Sequence, residues 1–349
     1  METGMVTTRS GNILNYIVRQ YISSAVPVPS QAVADKANLG VSPATIRNEM
    51  ARLEREGYLI RPHTSAGCIP SDKGYRYYVE SIDKITLPRE EQYLISHTFH
   101  QVEKEVEAWV SLTASLLARL TQNVAVVSLP KSKDCKLKHM ELIAVQDARA
   151  LIVIVLDGAV VKQKLVTFDE AVTQSELTNI SNKLNIAYAG KSSNEIAKSK
   201  IELTPVEKKA SEFLVEIMHS EDIKEDLDPY LEGWHFMLHQ PEFAHSDQMH
   251  DLMELVEQRG LLKVIVPAGL SQLGVQVIIG KENKNKAIQN CSVVICRYGL
   301  PEEVSGTLAV VGPTRMPYFH TIPTVYYLSS VLSQLIGGLY TKEIRNEQS

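Results

Sequence analysis

The sequence predicts an α+β protein, built as a small winged helix-turn-helix head on a larger α+β body that a helical block interrupts. Three observations predict it. Residues 1–88 give signals in the order helix, helix, tight turn, helix, hairpin, which is the order of a winged helix-turn-helix. Beyond Pro88, strand-like runs occur both before and after a polar, helix-rich block at 170–233. The 349 residues and 44% hydrophobic content provide for two or three domains with real cores.

Each element of the head follows from local chemistry. Asn12–Ile22 places Ile13, Tyr16, Ile17 and Val18 on one broad side of a helix, and PVPS at 27–30 breaks it. Ser30 caps a short helix to Lys36, and Leu39-Gly40-Val41 makes a tight connection. Ser42 is a second N-cap with Pro43 at the first helical position, and this helix runs to Glu56 and stops at Gly57. Tyr58–Ile60 is a strand, Pro62–Cys68 a turn, and Ile69 a short return. Ser71 caps a helix carrying Tyr75, Tyr78, Val79 and Ile82 at helical spacing.

The body begins with one long helix expected from Glu90 to about Thr121. Strands are expected at Val124–Leu129, Met140–Val145, Leu151–Leu156 and Val160–Phe168. After the polar block come a helix at Gln248–Gln258 and strands near Leu262–Val266, Gly274–Gly280, Ser292–Arg297 and Thr307–Gly312. A closing helix is expected at Val325–Gly337.

Charge narrows the function classes. The whole chain carries 36 basic and 41 acidic residues, so net charge alone does not point to nucleic acid. Residues 1–88 hold ten Lys/Arg against eight Asp/Glu, a net of +2, and the remaining 261 hold 26 against 33, a net of −7. The four cysteines form no Cys-x-x-Cys pair, and Cys291 and Cys296 fall on opposite faces of one strand, so free thiols in a reducing compartment are expected. The opening METGMVTTRSGN has no apolar segment of a signal peptide, and the longest apolar run, Ala150–Leu156, is far short of a membrane span. The expectation is a cytoplasmic protein with no membrane contact.

The helix from Pro43 carries the chemistry. Ile46, Met50 and Leu53 form a narrow apolar stripe, and the opposite side presents Ala44, Arg47, Asn48, Ala51, Arg52 and Arg55. Small alanines allow close approach to a groove floor. Asn48 suits bidentate pairing with adenine and Arg47 with guanine, while Arg52 and Arg55 suit phosphates. Ser42 and Thr45 lie at the helix N-terminus, where the dipole favours phosphate. The competing reading is a solvated amphipathic helix in which Glu49, Glu54 and Glu56 pair with those arginines. The turn, caps and hairpin around it favour the DNA reading. In the hairpin, Arg61, His63, Thr64 and Ser65 are donors to backbone phosphate, with Gly67 giving the turn backbone freedom. Lys73 and Arg76 either reach phosphate or are solvated, and Tyr75, Tyr77 and Tyr78 are packing residues.

SPATIRNEMARLEREGYLIRPHTSAG at 42–67, IPSDKGYRYYV at 69–79, YLEG at 230–233, PEF at 241–243, VIIGKEN at 277–283 and VGPTRMPY at 311–318 together resemble the HrcA family of bacterial heat-inducible transcription repressors. The pieces spread over nearly the whole chain. The resemblance implies a head at 1–88, a GAF-like domain at 89–169 with 234–349, and an inserted dimerisation domain at 170–233. It further implies a homodimer on an inverted-repeat operator of double-stranded DNA (the CIRCE element), repression lost on heating, and an active form promoted by the GroEL chaperonin. Two positions depart from the family pattern. Cys68 stands where Arg is usual, removing one expected wing cation, and Pro29 stands where Gly is usual.

Enzyme chemistry finds little support. His235 and His239 lie four apart in a segment that also holds His245 and His250, yet no HExxH pattern or acidic ligand accompanies them, so no metal and no cofactor are expected. Gly-x-Ser-x-Gly and a P-loop are absent. Anion binding by Arg315, in a strand-ending turn, is the lesser reading there. Two other functions compete with repression: a small-molecule sensor acting through the GAF-like body, and a head that binds protein or RNA.

Overall fold

The structure, a computed structural model, describes residues 7–36, 42–63, 67–82, 86–102, 105–132, 135–146, 148–157, 161–223, 229–243, 247–257, 260–267, 270–271, 274–301 and 304–347. No helix among them is long and apolar enough to cross a membrane. They form two compact units, one of 1–130 with 228–300 and 306–349, the other of 131–227 with 301–305.

The first unit opens with α1 (Thr8–Ser24), α2 (Ser30–Lys36) and α3 (Pro43–Arg55). A two-stranded antiparallel ribbon follows, β1 (Leu59–Ile60) with β2 (Ile69–Pro70), and then α4 (Asp72–Glu80). The caps are those the sequence predicts: Ser42 accepts from the Thr45 N–H at 3.2 Å, and Ser71 accepts from the Gly74 N–H at 3.1 Å. Gly57 ends α3 at φ +80°. The core beneath is apolar: Ile13, Leu14, Ile17 and Val18 of α1 are buried with Ile46, Met50 and Leu53 of α3, Val33, Leu59, Tyr75 and Tyr78.

The rest of this unit is built on a sheet ordered β8-β3-β11-β10-β9, from β3 (Val124–Val127), β8 (Tyr230–Glu232), β9 (Val275–Ile279), β10 (Cys291–Leu300) and β11 (Val304–Pro313). Every residue of β3 is buried, because helices cover both faces. α6 (Val106–Thr121) packs on β3 and α13 (Tyr318–Glu347) on β10. The other face gathers Val124, Val126, Val293, Ile295 and Val311 with Leu252 of α11 (Asp247–Glu257) and Leu262 of α12 (Leu261–Ile265). Cys291 lies in that second layer, while Cys296 donates towards Ser329 of α13, so the two thiols do fall on opposite faces.

Two element expectations need correction. The long helix from Glu90 is two: α5 (Arg89–His100) ends before α6 begins at Val106. Gln101 and Val102 already lie outside the helix, the Gln101 N–H turning back to the Thr98 carbonyl at 3.1 Å. The strand expected at Leu262–Val266 is α12, which buries Leu261, Leu262 and Ile265. A five-residue apolar run has no period that separates strand from helix, and here burial on one side decided.

The second unit has its own sheet, β5-β6-β7, from β5 (Leu137–Gln146), β6 (Arg149–Leu156) and β7 (Val161–Thr167), all antiparallel. The short β4 (Lys131–Ser132) pairs with Val304 and Ser305. α7 (Gln174–Tyr188), α8 (Ser193–Ala197) and α9 (Pro205–Ile223) complete it, and Leu177, Leu184, Leu214 and Met218 pack on Met140, Leu142, Ile152 and Ile154. α7 also seals the β5 edge: Asn185 bonds the N–H and C=O of Met140, both at 2.8 Å, and Ser181 accepts from the Leu142 N–H at 3.0 Å. Unpaired strand edges invite aggregation, and side chains here satisfy this one. This compact unit runs from Lys131 to Leu227, where the resemblance implies an insertion at 170–233. Strands 137–167, expected in the interrupted body, share a core with the helices that follow them.

Candidate nucleic-acid interface

α3 divides its residues as its periodicity requires. Ile46, Met50 and Leu53 face the core, and Ser42, Ala44, Arg47, Asn48 and Arg55 are exposed on the opposite side. Neither Arg47 nor Asn48 makes a hydrogen bond or ion pair among the described residues, so both side chains are free for an external partner. Arg55 is exposed, its Nε donating only to its own helix at the Ala51 carbonyl, 3.4 Å away. Thr45 is half-buried and shares a hydroxyl hydrogen bond of 3.0 Å with Ser42 at the helix N-terminus.

Arg52 is placed differently. It sits about 80° round the helix from Ala44, on the flank towards α1. There it pairs with Glu49 at 3.0 Å and Glu56 at 3.6 Å, and donates to Thr7 and Ser10. Ser10 in turn donates to Glu49 at 2.7 Å. Arg52, for which a phosphate contact is expected, thus links α1 to α3 in this structure. The spacing of Glu49, Arg52 and Glu56 was the sequence signal for this, because pairs three and four apart meet on a helix. Glu49 and Ser10 are thus structural members of the site.

The hairpin is also partly committed. Arg61 pairs with Glu54 at 3.2 Å, and that hydrogen bond is the first cause holding its guanidinium pKa above the ordinary value. His63 is exposed. Thr64 and Ser65 lie outside the described residues. Cys68 is fully buried, its backbone bridged to Val28 in both directions at 2.9 Å, and burial pushes its thiol pKa up. A side chain at 68 therefore points into the head. Gly67 is required by close approach and not by a left-handed turn: a Cβ there would lie 2.4 Å from the Val28 carbonyl carbon. Lys73 is drawn to the Glu56 carbonyl, 2.9 Å away, and lies over the Tyr58 ring. Arg76 is bonded to Glu282 and the Val277 carbonyl, so neither cation is a free phosphate donor.

The other candidates resolve similarly. Arg315 pairs with Glu242, with only 14% of its side chain exposed, which removes it as an anion site. His239 Nδ1 faces the His235 carbonyl at 2.5 Å, and no cluster of potential metal ligands occurs among the described residues. His245 lies outside them. A cleft of about 240 Å³ between β7 and α9 is lined by Lys162, Lys164, Glu216 and Glu221, whose charges already pair at 3.0 and 2.8 Å.

Among the described residues, the N-terminus of α3, then Arg47 and Asn48, then Arg55 form an open stripe, with His63 of the hairpin also exposed. An α-helix fits a DNA major groove about 12 Å wide, and this stripe offers an amide and guanidinium groups to base edges with a capped helix end for phosphate.

Comparison with known proteins agrees in class. The family model described as the HrcA protein C-terminal domain matches residues 107–322. A heat-inducible transcription repressor HrcA of Dehalococcoides mccartyi is 47% identical over 338 residues, covering 97% of this chain and 98% of that one. The Roseiflexus castenholzii protein of the same name is 38% identical over 349 residues, covering 96% of each. A solved structure described only as a hypothetical protein at 2.2 Å resolution is 26% identical, with a TM-score of 0.59 over 95% of this chain and 97% of that one.

Proposed function

The chain belongs to the HrcA family of heat-inducible transcription repressors, and from that premise we propose that it represses heat-shock chaperone operons by inserting α3 into the major groove of an inverted-repeat, CIRCE-type operator. The observation that carries the reading is the pair Arg47 and Asn48, exposed and unpartnered among the described residues, on a helix whose opposite face is locked in the core. Helix, helix, recognition helix and two-stranded ribbon stand in the order of a winged helix-turn-helix.

The protein acts as a homodimer, one head to each half-site. The second unit supports this with an uncovered apolar sheet face. Ile143, Leu151 and Leu165 lie side by side across β5, β6 and β7, with Val155 beside Val161 four residues along β6. Ile143 is 47% and Leu165 53% exposed, more than a strand centre normally leaves to water. A second copy of the chain is the occupant. The body then acts by holding two heads together, which multiplies affinity for a two-part operator. Heating that loosens the body releases the operator, and refolding by the GroEL chaperonin restores repression in the cytoplasm. The cleft between β7 and α9 lies in the second unit and its charges are self-paired, so it lends no support to ligand sensing by a GAF-like part.

A mobility shift on the inverted repeat against a scrambled duplex, with wild type, Arg47→Ala and Asn48→Ala, tests the reading. Each variant should lose about 1–3 kcal/mol per half-site. Equal binding of both duplexes by wild type would point instead to unselective nucleic-acid or protein binding.

A further inference from the structure

Four segments that are distant in sequence, 69–79, 241–243, 277–283 and 311–318, meet along one seam where the head rests on the sheet-bearing part of its own unit. At one end, Arg76 of α4 donates Nε to Glu282 Oε1 at 2.9 Å, a second N–H to the other Glu282 oxygen, and an N–H to the Val277 carbonyl at 2.7 Å. One turn earlier, Asp72 accepts the Lys281 backbone N–H at 3.0 Å. That approach requires glycine at 280, which has φ +53° and where a Cβ would lie 2.4 Å from the Asp72 carboxylate. Glu282 is itself held, accepting the Ile279 N–H at 2.9 Å.

At the other end, Arg315 reaches the head by donating to the Ile22 carbonyl near the end of α1 at 3.3 Å, and is held for that contact from its own side by Glu242 at 2.5 and 3.2 Å and Gln240 at 2.5 Å. Between the two ends, the buried rings of Tyr75 and Tyr318 lie 6.1 Å apart.

We propose that Asp72, Arg76, Glu282, Arg315 and Glu242 are positioning residues, forming a two-point clasp that fixes the angle of the DNA-contacting head and thereby sets which half-site spacing two heads can bind at once. One point of attachment leaves a hinge; two, separated by a packed pair of rings, remove the rotation. The bidentate Arg76–Glu282 pair holds direction as well as distance, which an apolar seam does not, and the Arg315–Ile22 contact adds the second point. None of Arg47, Asn48 or Arg55 takes part, so the clasp leaves the recognition stripe open. The inference rests on the reading of α3 as a DNA-contacting helix, and its test separates the two.

The full-length protein is titrated against CIRCE-type inverted repeats whose spacer changes by single base pairs, and against one isolated half-site, using wild type, Arg76→Ala, Glu282→Gln, Gly280→Ala and the charge-swapped double variant Arg76→Glu with Glu282→Arg. Wild type should show a sharp spacing optimum. In the single variants the optimum should flatten by about tenfold while half-site affinity is unchanged, because only the gain from linking two heads is lost. The swapped pair should recover part of the optimum relative to either single variant, the remainder being lost with the Val277 carbonyl and Ile279 N–H bonds that the exchanged side chains cannot make. A spacing profile that survives the single variants overturns the proposal, and so does a parallel loss of half-site affinity, which would make Arg76 a DNA contact. Hydrogen exchange without DNA provides the second reading. The segments 72–80 and 275–283 should exchange faster in the clasp variants, with 43–55 unchanged; unaltered exchange overturns the clasp. If exchange responds as stated but wild type binds no inverted repeat, the clasp stands and the DNA reading falls.

Discussion

Replacing Arg47 by alanine should separate binding from stability in a way that replacing Arg52 should not. Arg47 is exposed and makes no hydrogen bond or ion pair among the described residues, so its removal should change folding stability by no more than about 0.5 kcal/mol. A lost bidentate base contact costs about 1–3 kcal/mol, hence about 2–6 kcal/mol over two half-sites. At about 1.4 kcal/mol per tenfold, operator affinity should fall between roughly thirtyfold and twenty-thousandfold. Arg52, by contrast, joins Glu49, Ser10 and Thr7. A third of its side chain faces water (34% exposed), so those pairs are screened and their loss should cost about 0.5–1 kcal/mol of stability. A midpoint lower by roughly 1–4 °C follows for a unit of this size, with little change in half-site affinity below that temperature. Fluorescence anisotropy on the inverted repeat, beside a calorimetric melt, reads both. Wild-type operator affinity in a folded Arg47→Ala protein would refute the recognition stripe. A large affinity loss in Arg52→Ala with an unmoved melt would mean that Arg52 leaves its network to meet DNA.

Leu53→Ala, at a fully buried position of α3, should destabilise the head by about 2–5 kcal/mol and abolish operator binding through unfolding; a stable, binding-competent variant would show that α3 is not anchored by this stripe. Stability should also decline at alkaline pH. Burial pushes the thiol pKa of Cys291 up to about 12, and burial with the Asp222 charge pushes that of Cys135 up to about 11, from an ordinary 9. Both thiols stay protonated in the fold while their unfolded counterparts ionise, so the contribution is whole below pH 9 and is lost between pH 9 and about 12, with raised Tyr75 and Tyr318 acting in the same sense. Urea midpoints measured from pH 8 to 11 should fall; a flat profile would contradict the burial.

Much of the head was legible because its signals are local. Ser42, Pro43, Gly57 and Ser71 act on backbone groups within four residues, and Ile46, Met50 and Leu53 declare their face by spacing alone. What the sequence did not reveal depends on partners far away in the chain. Arg52 and Arg47 are alike as letters, and only the arrival of Ser10 and Thr7 of α1 beside one of them tells them apart. Arg76 and Arg315 read as solvated or anion-binding until Glu282 and Glu242, some 200 and 70 residues off, are brought alongside. The extent of the second unit was not legible for a related reason. β5, β6 and β7 look like any strands, and which helices cover them is a matter of topology that hydrophobic period does not encode.

The uncovered face of that inserted sheet bears on whether the two heads work together. Leu151 sits at the middle of a row, opposite Ile143 on one side and Leu165 on the other, with its side chain away from the core formed by Ile152 and Ile154. Leu151→Lys with Leu165→Lys therefore places two charges on the outer face without emptying the inner one, and the fold should persist. If that face holds two copies together, light scattering should show the mass halving. Operator affinity should then drop by about 10²–10⁴, the usual worth of linking two binding modules, while affinity for an isolated half-site stays as it was. A variant that remains dimeric would place the interface elsewhere. A monomer that still grips the whole inverted repeat as tightly as wild type would be the more damaging result, because each head would then have to bind strongly alone. A head carrying a net charge of only +2 over 88 residues is poorly equipped to do that through phosphate attraction.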